Sequence, residues 1–456
     1  MDRFETQYPI NAREAEIKQI LHYVTRGQSC QLISVPGAGR STVLRLLAYH
    51  EKLLHHHLAS KGETFRGKLL FIYLNFAELS NFDSAELTKA IFLAILAAIR
   101  EEGPNQEPFT TLGKEIYALF KEALALNDPI VLLEYLKKSI QLCNHAAISP
   151  IFLFDRFSEF AEKTSGDFFS NLRTLRTASG GKLSVVFSTH RPLEDLLPSD
   201  HWGDFYEFFV GNHIYLEMHD PVATNFRIEV LEKEYGKKLQ PKLKEELVRI
   251  TGGHGKLMKL GTQLLFPDRT HPRGGVAPAA GPRGESLIDF LLSSILIKGS
   301  LLEIWQALTL DERKTLREYI FNNIAIKQFN NSVLPKLGLP FPLLTEFVRR
   351  NIVEQLVPKT IRLDEKANEI FFGDETISDL TAQEFKLLSF LIKNPTRVCE
   401  RDEIITAVWS DTKTAEGVSD EALDQMVHRV RKKIEDEADN PKHLLTVKGR
   451  GFRFIP

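Results

Sequence analysis

The chain has 456 residues, which is too long for one ordinary hydrophobic core and predicts roughly three domains. Hydrophobic residues make up 43% of the sequence and charged residues 26%, and both values are ordinary for a globular protein. The formal net charge of −2 excludes a uniformly basic nucleic-acid coat, so any affinity for DNA must come from a local patch.

The three cysteines, Cys30, Cys143 and Cys399, lie far apart in the sequence. An odd number of well-separated cysteines is typical of a reduced cytoplasmic setting and fits neither a disulfide framework nor a cysteine metal site. The N-terminus is polar and lacks the apolar core of a signal peptide. Because the most apolar segment, residues 91–99, is far shorter than the about 20 residues that a membrane span needs, we expect no membrane partner.

Residues 34–42, with the sequence SVPGAGRST, connect an apolar run of strand type to an amphipathic helical pattern over residues 41–60. A glycine-rich turn from strand to helix is typical of a phosphate-binding loop, in which backbone N–H groups face phosphate oxygens. Two positions depart from the pattern G-x-x-x-x-G-K-[ST], since Ser34 replaces the first glycine and an arginine replaces the lysine. The candidate nucleotide-binding residues of this loop are Pro36, Gly37, Ala38, Gly39, Arg40, Ser41 and Thr42.

A second element of nucleotide-binding type ends at Asp155, which follows four apolar residues of a predicted strand. An aspartate in this position holds the hydration shell of Mg²⁺, so Ser41 and Asp155 are candidate Mg²⁺ contacts, and ATP or ADP with Mg²⁺ is the expected cofactor. The next residue is usually an acidic base that orients the attacking water, but here it is the cation Arg156. The sequence therefore assigns no catalytic residue firmly. Asp155 and Glu159 are the candidates, and we expect hydrolysis to be weak or absent.

Further strand patterns alternate with helical patterns and predict a parallel α/β sheet; they cover residues 68–76, 183–187 and 213–217. Thr189 and His190 follow the fourth strand, which is the usual place for a group that senses the γ-phosphate, and both are candidate nucleotide contacts. Helical patterns at residues 223–235 and 241–251 predict a small lid. The turn that closes this lid contains a further candidate nucleotide contact, His254.

These elements follow the order found in the STAND and AAA+ classes of P-loop ATPases, which the sequence resembles over about the first 265 residues. Arg13, Glu14 and Glu16 match the G-R-E-x-E element that many such ATPases carry before the first strand. The resemblance implies a P-loop α/β domain at residues 1–218 and a helical lid at residues 219–265. It leaves open whether this domain hydrolyses ATP, only binds nucleotide or serves as a scaffold.

Residues 266–286 are rich in proline and glycine and lack periodicity, which predicts a flexible linker. The segment 287–358 shows helical patterns followed by a strand pattern at residues 352–357, and Thr309 with Glu312 forms the pattern of a capping box. This order resembles the winged-helix domain that STAND ATPases commonly place after the lid. Because the segment lacks an evident basic face, we interpret it as a regulatory spacer.

The last segment, residues 361–456, has the pattern of small strands, three helices and a hairpin, and Thr381 with Glu384 predicts a capped first helix. Residues 425–456 contain eight basic against four acidic side chains, a local excess that favours DNA binding. The third helix, residues 419–435, has a basic side opposite an apolar side, as a helix in the major groove requires. Its apolar side consists of Leu423, Val427, Val430 and Ile434.

Motifs along this segment resemble the OmpR/PhoB-type winged-helix effector domain; they include Leu380-Thr381, Trp409, the basic run at residues 429–433 and TVKGRGFRF at residues 446–454. The resemblance implies double-stranded DNA as the partner, with the third helix in the major groove and the hairpin at the neighbouring minor groove. Contacts near the bases are expected from Gln425, His428 and Arg429. Phosphate contacts are expected from Arg431, Lys432, Lys448, Arg450 and Arg453.

The sequence thus predicts a multidomain protein of α/β plus α+β class that regulates transcription. Its winged-helix DNA reader would be controlled by a degenerate STAND-like domain, because no receiver domain with a phosphorylatable aspartate precedes the reader. One alternative is an active ATPase whose turnover drives self-association and assembly on DNA. The other is a scaffold whose N-terminal domain binds a protein partner and never binds nucleotide.

Overall fold

The computed structural model describes residues 3–59, 68–79, 83–103, 107–126, 128–161, 163–164, 166–198, 201–266, 286–322, 333–351, 361–364, 369–372, 375–377, 379–409, 419–435, 438 and 440–455. The chain forms two compact units, Met1–Arg349 and Arg350–Pro456. The finer domain boundaries expected from the sequence stay predictions. Within the described ranges, no helix combines the length and the apolar character that crossing a bilayer requires.

A parallel sheet forms the centre of the first unit, as the alternating sequence pattern predicts. Its strands are β1 (Cys30–Ile33), β2 (Lys68–Asn75), β3 (Ile148–Asp155), β4 (Ser184–Thr189) and β5 (His213–Tyr215). The order across the sheet is β2-β3-β4-β1-β5, so β1 and β3 lie on either side of β4. All residues of β1, β3 and β4 are buried, as expected of parallel strands with both faces covered.

The helices between and before these strands are α1 (Glu14–Val24), α2 (Arg40–Tyr49), α3 (Glu51–Ala59), α4 (Ser84–Glu102), α5 (Phe109–Leu126), α6 (Pro129–His145), α7 (Ser158–Ala161), α8 (Gly166–Ala178) and α9 (Leu193–Leu196). The single helix expected over residues 41–60 is instead two helices. His50 leaves helical geometry, with φ −110° and ψ 76°, and its Nδ1 accepts a hydrogen bond from the N–H of Leu53. This ring nitrogen therefore caps the start of α3.

Aromatic packing anchors the turn that follows β3. The ring of Phe154 packs against that of Phe76 with centroids 5.1 Å apart, and Phe157 packs against Phe187 at 4.9 Å. The N–H of Phe157 also donates to the carbonyl of Ser188, over 3.0 Å. Since these rings lie before and after the turn, they hold residues 155 and 156 in a defined place.

Helices form the segment predicted as the lid, for which we keep that name, and more helices follow it within the first unit. They are α10 (Pro221–Tyr235), α11 (Pro241–Thr251), α12 (Gly255–Leu265), α13 (Leu287–Leu292), α14 (Ile295–Gln306), α15 (Leu310–Asn322) and α16 (Pro342–Asn351). The capping box at Thr309 is confirmed, because its N–H donates to Glu312 and its hydroxyl accepts from the Glu312 N–H. The predicted strand at residues 352–357 and most of the predicted linker lie outside the described residues. The middle winged helix therefore stays a prediction.

Among its described residues, the second unit forms two small antiparallel sheets and three helices. Its elements are β6 (Ile361–Asp364), β7 (Glu369–Phe372), β8 (Glu375–Thr376), α17 (Ala382–Lys393), β9 (Val398–Glu400), α18 (Arg401–Trp409), α19 (Asp420–Ile434), β10 (Leu444–Val447) and β11 (Gly451–Phe454). One sheet has the order β6-β7-β8 and the other the order β10-β11-β9. Thr381 and Glu384 form the predicted capping box at the start of α17.

Helix α19 buries its apolar side in the core of the second unit. The predicted residues Leu423, Val427, Val430 and Ile434 are all buried, together with Met426. The adjoining hairpin depends on a glycine, because Gly451 has φ 142° and a Cβ atom there would lie 2.0 Å from the carbonyl oxygen of Cys399. Strand β11 can therefore lie beside β9 only without a side chain at this position.

Candidate functional site

One cavity of about 670 Å³ in the first unit brings together most of the predicted nucleotide-binding residues. Its volume falls within the range of about 300–1,000 Å³ that is usual for ligand sites. We call it the loop cavity, because the glycine-rich loop forms one wall; the other walls come from the ends of β3 and β4 and from α10, α12 and α14. The predicted residues that line it are Pro36, Gly37, Ala38, Gly39, Arg40, Ser41, Thr42, Asp155, Glu159 and His190.

Carbonyl groups of the glycine-rich loop are held by the lid. The carbonyl of Pro36 accepts a hydrogen bond from His254 Nε2 over 2.8 Å, and that of Gly37 accepts from the N–H of Lys256 over 3.0 Å. Gly37 has φ 80°, and a Cβ atom there would lie 2.8 Å from the His254 ring. The lid therefore fixes the loop conformation, and position 37 requires glycine.

Arg13 attaches the loop to the N-terminal segment and to the start of the lid. Its guanidinium donates to the carbonyls of Ala38 and Glu217 over 3.3 and 2.6 Å. The backbone N–H of Arg13 donates to the carboxylate of Asp220 over 3.0 Å. Arg13 itself has φ 55°, a left-handed conformation that does not belong to a helix, and α1 begins at the next residue, Glu14. The G-R-E-x-E element thus has a visible physical role in positioning the loop.

The two departures from the phosphate-loop pattern contact each other. Arg40 Nη1 donates to the carbonyl oxygen of Ser34 and also lies 3.4 Å from the Ser34 hydroxyl oxygen. A glycine at position 34 would present only the carbonyl to this guanidinium. Desolvation lowers the pKa of Arg40 to about 10, which leaves it charged at neutral pH. Arg40 therefore presents a positive charge at the place where phosphates bind in this type of loop.

Asp155 is buried at the end of β3 and is held by two hydrogen bonds. The Tyr73 hydroxyl donates to its Oδ2 over 2.7 Å, and the N–H of Arg156 donates to its Oδ1 over 2.9 Å. Burial and this neighbouring carboxylate raise the pKa of Tyr73, so the phenol remains a donor. Glu159, the other catalytic candidate, lies 3.8 Å from the guanidinium of Arg156 in an exposed ion pair. The candidate base is thus paired with the very cation that replaces the usual acidic residue.

The remaining predicted contacts differ in their relation to the cavity. His190 lines it, and burial together with the nearby Arg40 lowers the pKa of the imidazole to about 4, so the ring is neutral at pH 7. Thr189 is buried in the sheet beside Ile33 and is not among the residues that line the cavity. His254 is also fully buried and outside the lining, where its Nδ1 caps α12 while its Nε2 holds Pro36.

The lining of the loop cavity suits an anionic ligand that has an apolar part. Among the described residues, six cationic side chains line it against three acidic ones. The cationic residues are Arg13, Arg40, Arg156, Arg227, Lys256 and Lys259, and the acidic ones are Asp155, Glu159 and Glu303. Apolar lining comes from Val35, Ile228, Leu231 and Met258.

Helix α14 closes one side of the loop cavity, which sequence reasoning missed. Glu303 on this helix forms an ion pair with Lys256 of the lid at 2.7 Å, and both residues line the cavity. Arg191, which follows β4, donates to the carbonyl of Ala307 just beyond the helix. No pattern near residue 303 indicates such a contact, because it depends on how α14 packs. The segment interpreted as a regulatory spacer is thus in direct contact with the candidate nucleotide site.

The candidate DNA-binding residues of the second unit lie on α19 and on the hairpin between β10 and β11. Arg431 and Arg453 are partly buried. The other six candidates are exposed to solvent, namely Gln425, His428, Arg429, Lys432, Lys448 and Arg450.

Arg431 connects α19 to the hairpin. Its Nε and Nη2 donate to the carbonyl of Leu444 over 2.9 and 2.7 Å, and Nη2 also donates to the hydroxyl of Thr446 over 2.8 Å. Partial burial lowers the pKa of this guanidinium. Arg431 therefore sets the position of the helix relative to the hairpin, in addition to any contact it makes with phosphate.

Glu384 joins α17 to α19 from the inside of the unit. Its buried carboxylate accepts hydrogen bonds from the Thr381 N–H and Lys433 Nζ, each over 2.9 Å, and from Arg429 Nε over 3.2 Å. Burial alone would raise its pKa, but the hydrogen bonds from Thr381 and Lys433 outweigh it and lower the pKa to about 2. The capping residue predicted from the sequence thus also fixes the basic helix in place.

We expect the substitution Glu384→Gln to destabilise the second unit by about 1–3 kcal/mol at neutral pH, since it removes charged hydrogen bonds. A carboxylate with a lowered pKa stabilises the fold above its unfolded value of 4.5, and this stabilisation is lost as the pH falls towards 2. The difference between Glu384→Gln and the natural chain should therefore shrink over that interval. Hydrogen exchange of the α17 and α19 amides in the full chain measures this difference in stability at each pH.

Glu403→Gln is the matched control, because Glu403 forms an exposed ion pair with Arg397. Exposed pairs contribute at most about 1 kcal/mol, so the control should change exchange little. Equal effects of the two substitutions would contradict the role assigned to Glu384.

Three helices followed by a β-hairpin are the architecture of a winged helix, and this is the class of domain formed by the second unit. Residues 374–454 match the family model described as "Transcriptional regulatory protein, C terminal". The C-terminal domain is therefore of the OmpR/PhoB type that its motifs predict.

Curated proteins with similar sequences include two that each match about a fifth of this chain. The sensory transduction protein RegX3 of Mycolicibacterium smegmatis is 38% identical over 98 residues, which cover 20% of this chain and 39% of RegX3. The phosphate regulon transcriptional regulatory protein PhoB of Klebsiella pneumoniae is 32% identical over 103 residues, which cover 22% of this chain and 43% of PhoB. The chain thus spans about two fifths of the length of these relatives.

Two solved structures show similarity to this chain, one over about a fifth of its length and the other over most of it. The DNA-binding domain of Klebsiella pneumoniae RstA in complex with the RstA box is 23% identical, covers 22% of this chain and 97% of that chain, and superposes with a TM-score of 0.19. The Aeropyrum pernix ORC1 protein in complex with DNA is 14% identical, covers 89% of this chain and 94% of that chain, and superposes with a TM-score of 0.36. Likeness at these TM-scores identifies no function.

Proposed function

We propose that this protein is a transcription regulator that binds double-stranded DNA through α19 and the hairpin of its C-terminal winged helix. The match of residues 374–454 to the C-terminal domain of transcriptional regulatory proteins is the observation that carries this proposal. The exposed cations of the domain support it, because phosphate contacts need accessible positive charge. Gln425 and His428 are exposed on the same helix and are the proposed readers of base edges.

The loop cavity is the proposed site of ATP or ADP with Mg²⁺. Arg40 and the backbone of the loop would hold phosphates, while Ser41 and Asp155 would contact the hydration shell of the metal. The surplus of cationic over acidic lining supports an anionic ligand. Hydrolysis would be slow, because Arg156 stands in place of the acidic base and pairs with Glu159.

Control of the DNA reader by nucleotide is part of the proposal. The ion pair between Lys256 and Glu303 supports it, since a phosphate entering the cavity would compete with the Glu303 carboxylate for the same ammonium group. Loss of this pair would remove one contact between the lid and α14, which belongs to the segment interpreted as a regulatory spacer. An active ATPase that assembles on DNA is the second candidate function, and a scaffold that does not bind nucleotide is the third.

Calorimetric titration of the full chain should detect ATP or ADP binding that depends on Mg²⁺, with turnover far below the about 1 s⁻¹ at the low end of ordinary enzymes. The substitution Asp155→Asn should remove the Mg²⁺ dependence, because it removes the charge but keeps an oxygen that accepts from Tyr73. The matched control is Asp195→Asn, an exposed aspartate outside the cavity lining, which should leave binding unchanged.

Each alternative has its own outcome in this experiment. Turnover at or above about 1 s⁻¹ that disappears in Asp155→Asn would favour the active ATPase. Absence of any binding would favour the scaffold. DNA affinity measured with and without ATP then tests control of the reader, and equal affinities in both conditions would contradict it.

A further inference from the structure

We infer that Arg156 contacts the terminal phosphate of a nucleoside triphosphate and thereby makes the site distinguish ATP from ADP. This assignment rests on the proposed nucleotide site. Arg156 lines the loop cavity at the end of β3, directly after the candidate Mg²⁺ contact Asp155. Because this position usually carries an acidic residue in phosphate-loop ATPases, the role assigned to Arg156 is specific to this chain.

The location of residue 156 determines which phosphate its side chain can reach. In phosphate-loop ATPases the residue after the strand-end aspartate orients the water that attacks the terminal phosphate, so it lies next to that group. The phosphates nearer the sugar are held mainly by backbone N–H groups of the glycine-rich loop. A cationic side chain at position 156 therefore has a partner in ATP that ADP does not offer.

The backbone of Arg156 is fixed at the cavity wall, whereas its side chain is half exposed. Its φ of 56° is uncommon for a residue other than glycine, and such conformations concentrate at functional sites. Its N–H donates to Asp155 Oδ1 over 2.9 Å, and the next residue, Phe157, donates its own N–H to the carbonyl of Ser188 over 3.0 Å. The guanidinium can thus change its partner while the backbone stays in place.

The partner of the Arg156 guanidinium in the free protein is weak. Arg156 Nε lies 3.8 Å from Glu159 Oε1, which is longer than a hydrogen bond, and the two side chains are 54% and 59% exposed. Exposed ion pairs of this kind contribute little to stability. A phosphate group can accept two parallel hydrogen bonds from a planar guanidinium, so it would displace the Glu159 carboxylate.

The charge of Arg156 acts on the cation of the glycine-rich loop. Burial is the largest cause of the lowered pKa of Arg40, and the neighbouring charge of Arg156 also lowers it. The charges of Asp155 and Glu159 act on Arg40 in the opposite direction. Because like charges repel, an anion that contacts both arginines would relieve their repulsion. The loop and the end of β3 would then each supply one cation to the same chain of phosphates.

The substitution Arg156→Gln tests this assignment, because it removes the charge and keeps a polar side chain. The full-length variant should bind ATP roughly 5- to 30-fold more weakly in the presence of Mg²⁺, the effect of losing a charged hydrogen bond at a half-exposed position. Its affinity for ADP should equal that of the natural chain. Calorimetric titration with each nucleotide measures both affinities, and retained binding of ADP shows that the variant is folded.

Arg173→Gln is the matched control. The Arg173 side chain is also 54% exposed and forms an ion pair with Asp204, but it does not line the loop cavity. This variant should bind ATP and ADP as the natural chain does. An equal loss of affinity for both nucleotides in Arg156→Gln would assign its guanidinium to another phosphate and overturn the inference. Unchanged affinity for ATP would show that Arg156 stays with Glu159.

Glu159→Gln tests the exchange of partners. It should bind ATP more tightly, because the carboxylate no longer competes for Arg156 and no longer repels phosphate. Only the first contribution requires Arg156, so the gain should be smaller when Glu159→Gln is combined with Arg156→Gln. Equal gains in the two backgrounds would mean that the ion pair does not open, which would contradict the exchange.

The inference and the proposed function fail in different ways in these titrations. If the natural chain binds neither ATP nor ADP, the nucleotide site itself is wrong. If the natural chain binds both nucleotides and Arg156→Gln leaves the ratio of their affinities unchanged, only the role of Arg156 is wrong.

Discussion

Replacing Lys432, Lys448 and Arg450 together with alanine should lower the affinity of the full chain for its DNA on the order of 10²- to 10³-fold at 0.1 M salt. Each phosphate contact contributes about 0.9 to the slope of log affinity against log salt concentration. Removal of three contacts therefore lowers the slope by about 2.7, which corresponds to a factor of about 500 at 0.1 M salt. The three side chains are exposed on α19 and the hairpin turn, so their loss should leave the fold intact.

The loss should be similar for specific and unrelated DNA sequences, because phosphates carry no sequence information. Fluorescence anisotropy over a range of salt concentrations measures both the affinity and the slope. A triple substitution of Lys233, Lys238 and Lys242, which are exposed in the lid region, changes the net charge equally and serves as the control. A slope that stays the same in the first variant, or falls as much in the control, would remove the three residues from the interface.

Substitution of Gln425 should have a different signature. An exposed amide on α19 offers both a donor and an acceptor to a base edge, which phosphate contacts do not require. We therefore expect Gln425→Ala to reduce discrimination between sequences while the salt slope is retained. Comparison of the two kinds of variant distinguishes contacts to phosphate, which position the protein on DNA, from contacts to base edges, which recognise the sequence.

Arg40→Ala should weaken ATP binding roughly 10- to 100-fold, because a charged hydrogen bond to phosphate is lost within a partly desolvated cavity. Arg40→Lys should retain most of the affinity, since it restores the residue that the phosphate-loop pattern usually contains. Isothermal titration of the full chain with ATP and tripolyphosphate measures the effect. Both ligands should be affected alike, because the lost hydrogen bond is to phosphate.

A substitution at Ser34 offers a check on the Arg40 prediction. The Arg40 guanidinium approaches both the carbonyl and the hydroxyl of Ser34, so Ser34→Gly should alter ATP affinity less than Arg40→Ala does. Equal affinity of the natural chain and Arg40→Ala would mean that Arg40 remains bound to Ser34 and never contacts phosphate. The nucleotide site would then lack its principal cation.

Much of the local structure could be predicted from the sequence. The capping boxes at Thr309 and Thr381 are present as expected, because they depend on hydrogen bonds between residues three positions apart. The apolar stripe of α19 is buried as its spacing predicts. The prediction of one continuous helix over residues 41–60 is wrong, because the helix is interrupted at His50. The His50 ring contacts the distant carbonyl of Tyr8, and no local sequence pattern indicates this interruption.

The residues that complete the candidate sites could not be predicted in the same way. Glu303 and Arg227 carry no motif, and they reach the loop cavity only because α14 and α10 pack around it. Arg431 shows the opposite case, since its place in a basic run predicts a phosphate contact while the structure also attaches it to Leu444. The partner of a long side chain depends on the packing of whole elements, which local periodicity does not encode.

The sequence by itself determined the parallel α/β order, the loop at residues 34–42 with its two departures, and the winged helix at the C-terminus. These features arise from spacing and from residues adjacent in the chain. Tertiary structure alone decided that Ser34 and Arg40 contact each other and that Tyr8 lines the same cavity as Asp155 and Glu303. The physical reason is that the cavity is formed by segments up to hundreds of residues apart, which meet only when the sheet, the lid and α14 pack together.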